Sequence, residues 1–266
     1  MTKLRADILI HNRGLAESRE KAKIIIMEGR AFTKSGRIEK AGELIDEDEE
    51  IKVKGKDLEF VSRGGYKLKK ILEDYKLSLE GKICMDIGAS TGGFTDCMLK
   101  YGAKKVYAVD VGYNQLDYRI RKDSRVIVLE RQNIRYLDDN LIEDEIDFIS
   151  IDVSFISLEL VIPKAVTFGG DNLQIVALIK PQFEAGKDKV GKGGIVKDTK
   201  VHVEVLEKIL NLAGSLNLFV KDITYSPIKG TKGNIEFLIY MDTNANISRD
   251  FDLKKIALEA KDNLKK

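Results

Sequence analysis

The sequence predicts an α/β protein: a mainly parallel sheet covered by helices on both faces, ended by an antiparallel terminal hairpin and preceded by a small α+β module. Three observations predict it. From Lys82 onward short apolar runs alternate with amphipathic stretches of helical period, the pattern of parallel strands joined by helical crossovers. The stretch Lys82-Ile-Cys-Met-Asp-Ile-Gly-Ala-Ser-Thr-Gly-Gly-Phe-Thr95, followed by Val106-Tyr-Ala-Val-Asp110, reads as strand, glycine loop, helix and second strand with an acidic end. The last two apolar runs meet through Pro227 to Gly233, too short for a helical crossover, so they pair antiparallel at one edge.

The elements follow in order. Residues 1–40 carry ten Lys/Arg against five Asp/Glu, and residues 43–50 then hold six acids, which suggests a small folded unit with one basic face. Leu4, Ile8 and Leu9 recur at helical spacing in a first short helix that Gly14 closes. Ser18 caps a second, whose Ala22, Ile25 and Ile26 share a face before Gly29 stops it. Residues 30–33, the turn 34–36 and the alternating 51–53 add short strands. The module, residues 1–58, presents Arg5, Arg13, Arg19, Lys21, Lys23 and Arg30 across or near its helices. Residues 59–81 form a linker with a helix leading into the body, residues 82–266. The body places strands over 82–87, 105–110, 126–130, 147–152, 173–179, 220–226 and 235–241. Helices fall near 92–100, 115–121, 157–166 and 200–213, with an exposed terminal helix over 253–266.

Composition narrows the class. With 266 residues, 43% apolar and 33% charged, the chain is globular rather than disordered, and no run approaches the roughly 18 apolar residues of a membrane span. The amino terminus lacks the apolar run of a signal peptide, so a cytosolic, cytoplasmic protein is expected. Cys84 and Cys97 fit a reduced compartment, and with His11 and His202 isolated no metal site is expected. A net charge of +2 does not by itself call for nucleic acid, so such a reading rests on local clustering.

The glycine loop carries the first chemistry. Gly88, Gly92 and Gly93 let backbone approach a ligand where a side chain would collide, and Asp110 ends the next strand where a carboxylate can accept both hydroxyls of a ribose. Asp86-x-Gly88-x-Ser90-x-Gly92 has an acid at the first position of a dinucleotide loop and a serine at its middle glycine, and no P-loop Lys-Ser/Thr follows. An acid beside the turn suits a cationic nucleotide, S-adenosylmethionine, better than a pyrophosphate. The alternative is a turn that merely packs strand against helix. The candidate cofactor residues are Asp86, Gly88, Ala89, Ser90, Thr91, Gly92, Gly93, Phe94, Asp110, Val111, Asn133 and Asp152.

Ligands of open α/β sheets sit beyond the carboxyl ends of the strands. There Asp152 ends one strand, Lys180 ends the next, Glu236 lies on the antiparallel strand and Lys67 approaches from the linker. Charges set into apolar strands are costly unless paired, so these four form either two ordinary ion pairs or a site. Methyl transfer to a ribose hydroxyl needs loss of a proton from a weakly acidic alcohol, and a lysine whose pKa is lowered by a neighbouring lysine and partial burial can accept it or steady the alkoxide. No metal is required. Asp152-Val-Ser-Phe155 also reads as a degenerate Asp/Asn-Pro-Pro-aromatic motif of amino-methyltransferases, but both prolines are missing. A base-carbon methyltransferase would want a nucleophilic cysteine near the fourth or fifth strand, where neither cysteine lies.

The chain resembles the TlyA (haemolysin A-like) ribosomal RNA 2′-O-methyltransferases, which join an amino-terminal RNA-binding domain of the ribosomal-protein S-four type to an FtsJ/RrmJ-like, Rossmann-like SAM-dependent methyltransferase domain. The resemblance runs through Val61-Ser-Arg-Gly-Gly-Tyr-Lys-Leu68, Gly88-Ala-Ser-Thr-Gly-Gly-Phe-Thr95, Asp110-Val-Gly-Tyr-Asn-Gln-Leu116, Asp152-Val-Ser-Phe-Ile-Ser-Leu158, Lys180-Pro-Gln-Phe-Glu-Ala-Gly186 and Gly233-Asn-Ile-Glu-Phe237. It implies a Lys-Asp-Lys-Glu tetrad at Lys67, Asp152, Lys180 and Glu236, with Lys180 the proton acceptor. Choosing Lys67 over Lys69 or Lys70 rests on the Arg63-Gly-Gly frame. It further implies that the basic module binds ribosomal RNA, and that the target is a cytidine ribose of the large-subunit RNA, with some relatives also modifying the small-subunit RNA. The partner is thus ribosomal RNA or a ribosomal subunit, with a monomer favoured. Arg63, Lys69, Lys70, Lys187, Lys189 and Lys192 flank the proposed site as phosphate contacts, and 186–194 reads as a mobile loop over it. Other classes stay open: a catalytically silent RNA-binding assembly factor, or a membrane-active haemolysin, for which no amphipathic surface segment or export signal is found.

Overall fold

A computed structural model describes residues 2–27, 29–54, 58–230, 232–244 and 250–264, and the chain divides into two compact units, residues 1–59 and 60–266. In the first, β1 (Lys3–Arg5) runs into α1 (Ala6–Asn12) and α2 (Arg19–Met27), followed by β2 (Ala31–Thr33), β3 (Gly36–Arg37), β4 (Leu44–Asp46) and β5 (Lys52–Val53). β1 pairs antiparallel with β4, and β2 lies between β3 and β5. Leu4 belongs to this ladder, opposite Ile45, and not to the first helix. Arg5 is extended, with φ −61° and ψ 140°, so the helix begins only after it. Gly14 and Gly29 both take the left-handed φ of 68° that ends a helix. Ser18 Oγ accepts the Lys21 N–H at 3.1 Å, as the capping pattern expects. Ala6, Leu9, Ile10, Ala22, Ile25 and Ile26 pack against Ile38, Ile45 and Ile51 as the unit's small core.

In the second unit, α3 (Gly65–Asp74) precedes β6 (Ile83–Ile87), α4 (Gly93–Lys100), β7 (Lys105–Asp110), α5 (Tyr118–Arg121), β8 (Val126–Glu130) and β9 (Ile146–Ile151). Then come α6 (Ile162–Val166), β10 (Gly169–Ile179), α7 (Pro181–Glu184), α8 (Thr199–Ser215), β11 (Phe219–Tyr225), β12 (Phe237–Asp242) and α9 (Leu253–Asn263). The seven strands lie in the order β11-β12-β10-β9-β6-β7-β8. β10, β9, β6, β7 and β8 are mutually parallel, and β12 is antiparallel to β10 and β11. The antiparallel strand is therefore second in from the edge. Every residue of β12 is buried whereas most of β11 is only half-buried, so β12 takes the position with a neighbour on each side.

Alternation along the strands feeds two cores. Ile175, Ala177 and Ile179 of β10 face the layer of α6, α8 and α9, while Val176 and Leu178 face α3 and α4. Three expectations are corrected by this packing. Residues 60–81 are no free linker, since Phe60, Leu68, Ile71 and Leu72 fill the second core and a side chain on Gly65 would meet the Phe60 ring at 2.3 Å. The terminal helix is not simply exposed, because Leu253, Ala257 and Ala260 are buried in the first core. The helix expected over 157–166 breaks into a 3₁₀ turn at Leu158–Leu160 and α6, whose first turn holds Pro163, a residue that cannot donate to a preceding turn. Among the described residues no helix is long and apolar enough to cross a membrane.

Candidate active site

Strand order reverses around β6, whose neighbours are β7 and β9, and a crevice opens beyond the carboxyl ends at such a point. The glycine loop leaves β6 there. Gly88 has φ 87°, and a Cβ on it would stand 2.5 Å from the Asp152 carbonyl oxygen, so glycine is required for the loop to pass the end of β9. Gly92 has φ 89° and begins α4. Ser90 is exposed with φ 48°, and its N–H donates to Asp110 Oδ2 at 2.8 Å. The Gly112 N–H donates to Asp110 Oδ1 at 2.6 Å. Asp110 thus stands half-buried at the end of β7, fixed by two backbone donors, with exposed Val111 beside it. Asn133 lies exposed after β8, its Oδ1 accepting the Arg135 N–H at 3.1 Å. Ala89, Gly93 and Phe94 are buried beneath the loop, and Thr91 is half-buried on it.

Asp86 is not part of the open cradle. It is fully buried, accepting hydrogen bonds from Thr95 Oγ1 at 2.6 Å and Ser150 Oγ at 3.0 Å, so it ties β6 to α4 and β9 from below. Burial pushes its carboxyl up to about 7, against the lowering effect of the two hydroxyls. Its distance from solvent follows from strand alternation and from a partner 64 residues away, which a loop motif does not reveal.

The four charged candidates come together as one chain of ion pairs. Glu236 Oε2 accepts from Lys67 Nζ at 2.8 Å, Lys67 Nζ reaches Asp152 Oδ2 at 3.4 Å, and Asp152 Oδ1 lies 2.5 Å from Lys180 Nζ. Their side chains are only 4% (Glu236), 10% (Lys67), 20% (Asp152) and 9% (Lys180) exposed. Asp152 follows β9, Lys180 follows β10, Lys67 sits on α3, and Glu236 stands one residue before β12 rather than on it. Neither Lys69 nor Lys70 joins the chain, for Lys69 pairs with Glu73 at 3.6 Å and Lys70 with Asp74 at 2.5 Å along α3. Burial pulls the Lys67 ammonium down, but Asp152 and Glu236 outweigh it and hold Lys67 above the ordinary lysine value. Burial likewise pushes Asp152 up, and Lys67 and Lys180 overcome it to hold the carboxyl below its usual range. The carboxylate of Asp152 lies between the two lysines, so Lys180 meets an anion directly and not, as expected, a neighbouring ammonium.

Several neighbours were not singled out from the sequence. Ser154 Oγ accepts from Lys180 Nζ at 3.0 Å. Phe155 has φ 65° and is 87% exposed, with its ring 5.0 Å from that of Phe183. Glu184 is buried, accepting from Ser157 Oγ at 2.6 Å and the Leu158 N–H at 2.8 Å, and so braces the segment that follows Asp152. The sequence marks Ser154 and Phe155 through the Asp152-Val-Ser-Phe155 string, without showing what either side chain touches.

The basic residues are more occupied than their charge suggests. Arg5 and Arg19 both pair with the fully buried Asp7, at 3.0 and 3.2 Å. Arg13 donates to the backbone carbonyls of Glu47 and Glu49, and Arg30 Nε to that of Lys54 at 3.0 Å. Lys23 lies 3.7 Å from Glu20, and Lys21 also has an interaction partner. In the second unit Arg63 and Lys187 are exposed, while Lys189 pairs with Glu204 at 2.6 Å.

Residues 60–243 match the model of the FtsJ-like methyltransferase family. The chain is 50% identical over 240 residues to Bacillus subtilis YqxC, covering 90% of this chain and 85% of that protein. It is 37% identical over 243 residues to the 16S/23S rRNA (cytidine-2′-O)-methyltransferase TlyA of Mycobacterium tuberculosis, 91% of each being covered. The solved structure of a Streptococcus thermophilus protein bearing the name hemolysin superposes with a TM-score of 0.78 at 45% identity, over 100% of this chain and 98% of that one. With the seven-stranded sheet and a match to more than half its length, the chain belongs to the FtsJ-like methyltransferase family, in the group that includes TlyA and the hemolysin-named proteins.

Proposed function

We propose that this methyltransferase transfers the methyl group of S-adenosylmethionine to the 2′-hydroxyl of a cytidine ribose in ribosomal RNA. The observation that carries the reading is the buried Glu236–Lys67–Asp152–Lys180 chain at the strand ends beside the glycine loop. The M. tuberculosis relative named for 16S and 23S RNA, and a Campylobacter jejuni relative, 37% identical over 189 residues and named a 23S rRNA (cytidine-2′-O)-methyltransferase TlyA, support the substrate class. The large-subunit RNA is the first target, and the small-subunit RNA the second to test. The reading includes a cytoplasmic enzyme that works on ribosomal RNA as a monomer.

The donor supplies a methyl carbon activated by a sulfonium. The residues of the crevice fit such a ligand: Asp110 stands at the end of β7 for ribose hydroxyls, Val111 offers an exposed apolar face, and Asp152 supplies a carboxylate near the cation. Lys180 Nζ stands next to the reacting oxygen. As the 2′-oxygen bonds to the methyl carbon and the carbon–sulfur bond breaks, the hydroxyl proton passes to the Lys180 amine, whose ammonium has first released a proton to solvent and which keeps an N–H on Asp152. Lys67 and Glu236 are positioning residues that fix Asp152. Exposed Phe155 offers a stacking face for the target base, and the S-four-type module of residues 1–58, with Arg63, Lys69, Lys70, Lys187 and Lys189, contacts phosphates.

The test is transfer of labelled methyl from S-adenosylmethionine to ribosomal RNA, free and in separated subunits, by the wild type and by Lys180→Ala, with nuclease digestion to identify the nucleoside. A 2′-O-methylcytidine that disappears in the variant supports the reading. Methylation on a base overturns the tetrad, and no transfer to any RNA leaves a binding factor of ribosome assembly.

A further inference from the structure

The segment leaving Lys180 travels through α7, forms an exposed loop carrying Lys187, Lys189 and Lys192, and returns to the body at Val196. A 3₁₀ turn at Lys187–Lys189 and the Lys189–Glu204 pair at 2.6 Å shape its first half. Its tip is a hairpin in which the Gly191 N–H donates to the Ile195 carbonyl at 3.0 Å, with Gly193 and Gly194 at φ 78° and 77° and open space around both. Glycine-rich surface backbone of this kind loses much entropy on ordering.

Two buried side chains, one from the connection before β12 and one from α8, converge on its end. Asn234 donates from Nδ2 to the Gly194 carbonyl at 2.8 Å and accepts at Oδ1 from the Val196 N–H at 3.0 Å. His202, in the first turn of α8, bonds through Nε2 to the Val196 carbonyl at 3.1 Å. Among the described residues Nδ1 of that ring has no hydrogen-bond partner, and the bond the buried imidazole makes to the Val196 carbonyl requires the proton on Nε2. Both polar groups of Val196 are thus held by side chains rather than by sheet or helix. Asn234 stands two residues before Glu236, and the His202 ring lies edge-on to Phe237 at 5.4 Å. The loop therefore starts just beyond one end of the ion-pair chain and is pinned beside the other.

We propose that Asn234 and His202 are positioning residues that clamp Val196, holding the lysine-bearing loop 186–195 in place so that it grips RNA phosphate at the site where Glu236 and Lys180 are set. The inference rests on the RNA-methylating reading for the purpose of the loop, but not for the clamp itself.

The experiment compares wild type, His202→Phe, His202→Gln and Asn234→Ala in the full-length protein. It reads the rate of tryptic cleavage after Lys187, Lys189 and Lys192 by mass spectrometry, the melting temperature, and KM for ribosomal RNA against kcat. Losing a buried hydrogen bond and stranding its partner should raise loop cleavage by roughly tenfold in the Phe and Ala variants. KM for RNA should rise by a similar factor, with kcat changed less. Glutamine keeps an amide donor and should restore most of both. Cleavage unchanged in His202→Phe, a freed loop with KM unmoved, or glutamine behaving as phenylalanine would each overturn the proposal. Because cleavage is read without RNA or cofactor, failure of the methylation reading leaves this readout standing, whereas an active enzyme with an undisturbed loop sinks the clamp alone.

Discussion

Asp152 Oδ1 lies 2.5 Å from Lys180 Nζ while its other oxygen faces Lys67, so a single carboxylate at the end of β9 holds two buried lysines apart. Removing its charge leaves two cations sharing one small volume with Glu236 to offset them among the described residues, and stranding a buried charge costs several kcal/mol. Asp152→Asn should therefore lower methyl transfer by about 10² to 10⁴. The helical and strand content should survive, since Asp152 lies outside β9 itself. Steady-state transfer with circular dichroism on the same samples checks both. A variant within about threefold of wild type would show that the lysines do not depend on this anion.

Asp86 gives a prediction with a definite sign in pH. In the unfolded chain an aspartate ionises near 3.9, whereas in the fold Asp86 keeps its proton up to about 7. Between those values unfolding releases a proton, so this group lowers stability as pH rises through the window, by a total on the order of 3–4 kcal/mol. An asparagine in its place is neutral throughout and can still bond the Thr95 and Ser150 hydroxyls. In urea titrations Asp86→Asn should therefore gain on the wild type as pH goes from 4 to 7.5, with little difference at pH 4. A constant difference would mean that the wild-type carboxyl is ionised throughout.

Which parts of this were legible beforehand follows from the kind of signal each residue leaves. Lys67, Asp152, Lys180 and Glu236 are charges set in apolar surroundings that need partners, and the structure joins these four in one chain of ion pairs, Lys67 being picked out from Lys69 and Lys70 by the family's Arg63-Gly-Gly frame. Asp86 also carries a charge in an apolar strand, but its partners are hydroxyls, Thr95 and Ser150, whose presence in a sequence says nothing about where they point. The basic face rests on a count of cations. Counting does not show that Asp7 draws Arg5 and Arg19 to itself or that Arg13 is spent on backbone carbonyls. His202 and Asn234 were invisible because their role is to satisfy main chain from a distant loop. The insertion of β12 between β10 and β11 was obscured because a short connection shows that two strands pair, not which of them lies outside.

Asp7 is fully buried between Arg5 and Arg19, and the Arg5 hydrogen bond leads in lowering its carboxyl to about 2. Its folded value lies below the unfolded 3.9, so its contribution is complete above that pH and disappears as pH falls towards 2. Both arginines are half exposed, which weakens the pair, and Asp7→Asn should cost about 1–2 kcal/mol at pH 7. The same change frees two guanidinium groups from a fixed orientation, so RNA affinity should fall even though net positive charge has risen. Binding measured against salt tests this: a tighter complex in Asp7→Asn would mean that charge alone, and not arginine placement, governs the contact.

Gly88 offers the sharpest separation between backbone strain and active-site geometry. With φ 87°, any side chain there is strained, and a Cβ would stand 2.5 Å from the Asp152 carbonyl oxygen and 2.9 Å from its carbon. Those atoms are main chain and cannot rotate away, so Gly88→Ala must push the end of β9, and with it the carboxylate that anchors Lys180. Gly81 is the matched control, with φ 73° but nothing within 4 Å of an added Cβ, so Gly81→Ala bears only the left-handed penalty of about 1–2 kcal/mol. Gly88→Ala should melt lower than Gly81→Ala and should lose methyl transfer by at least about 100-fold under conditions where both are folded. Equal melting temperatures with full activity in both would mean that β9 yields without moving Asp152, and that the close approach of loop and strand does not set the site.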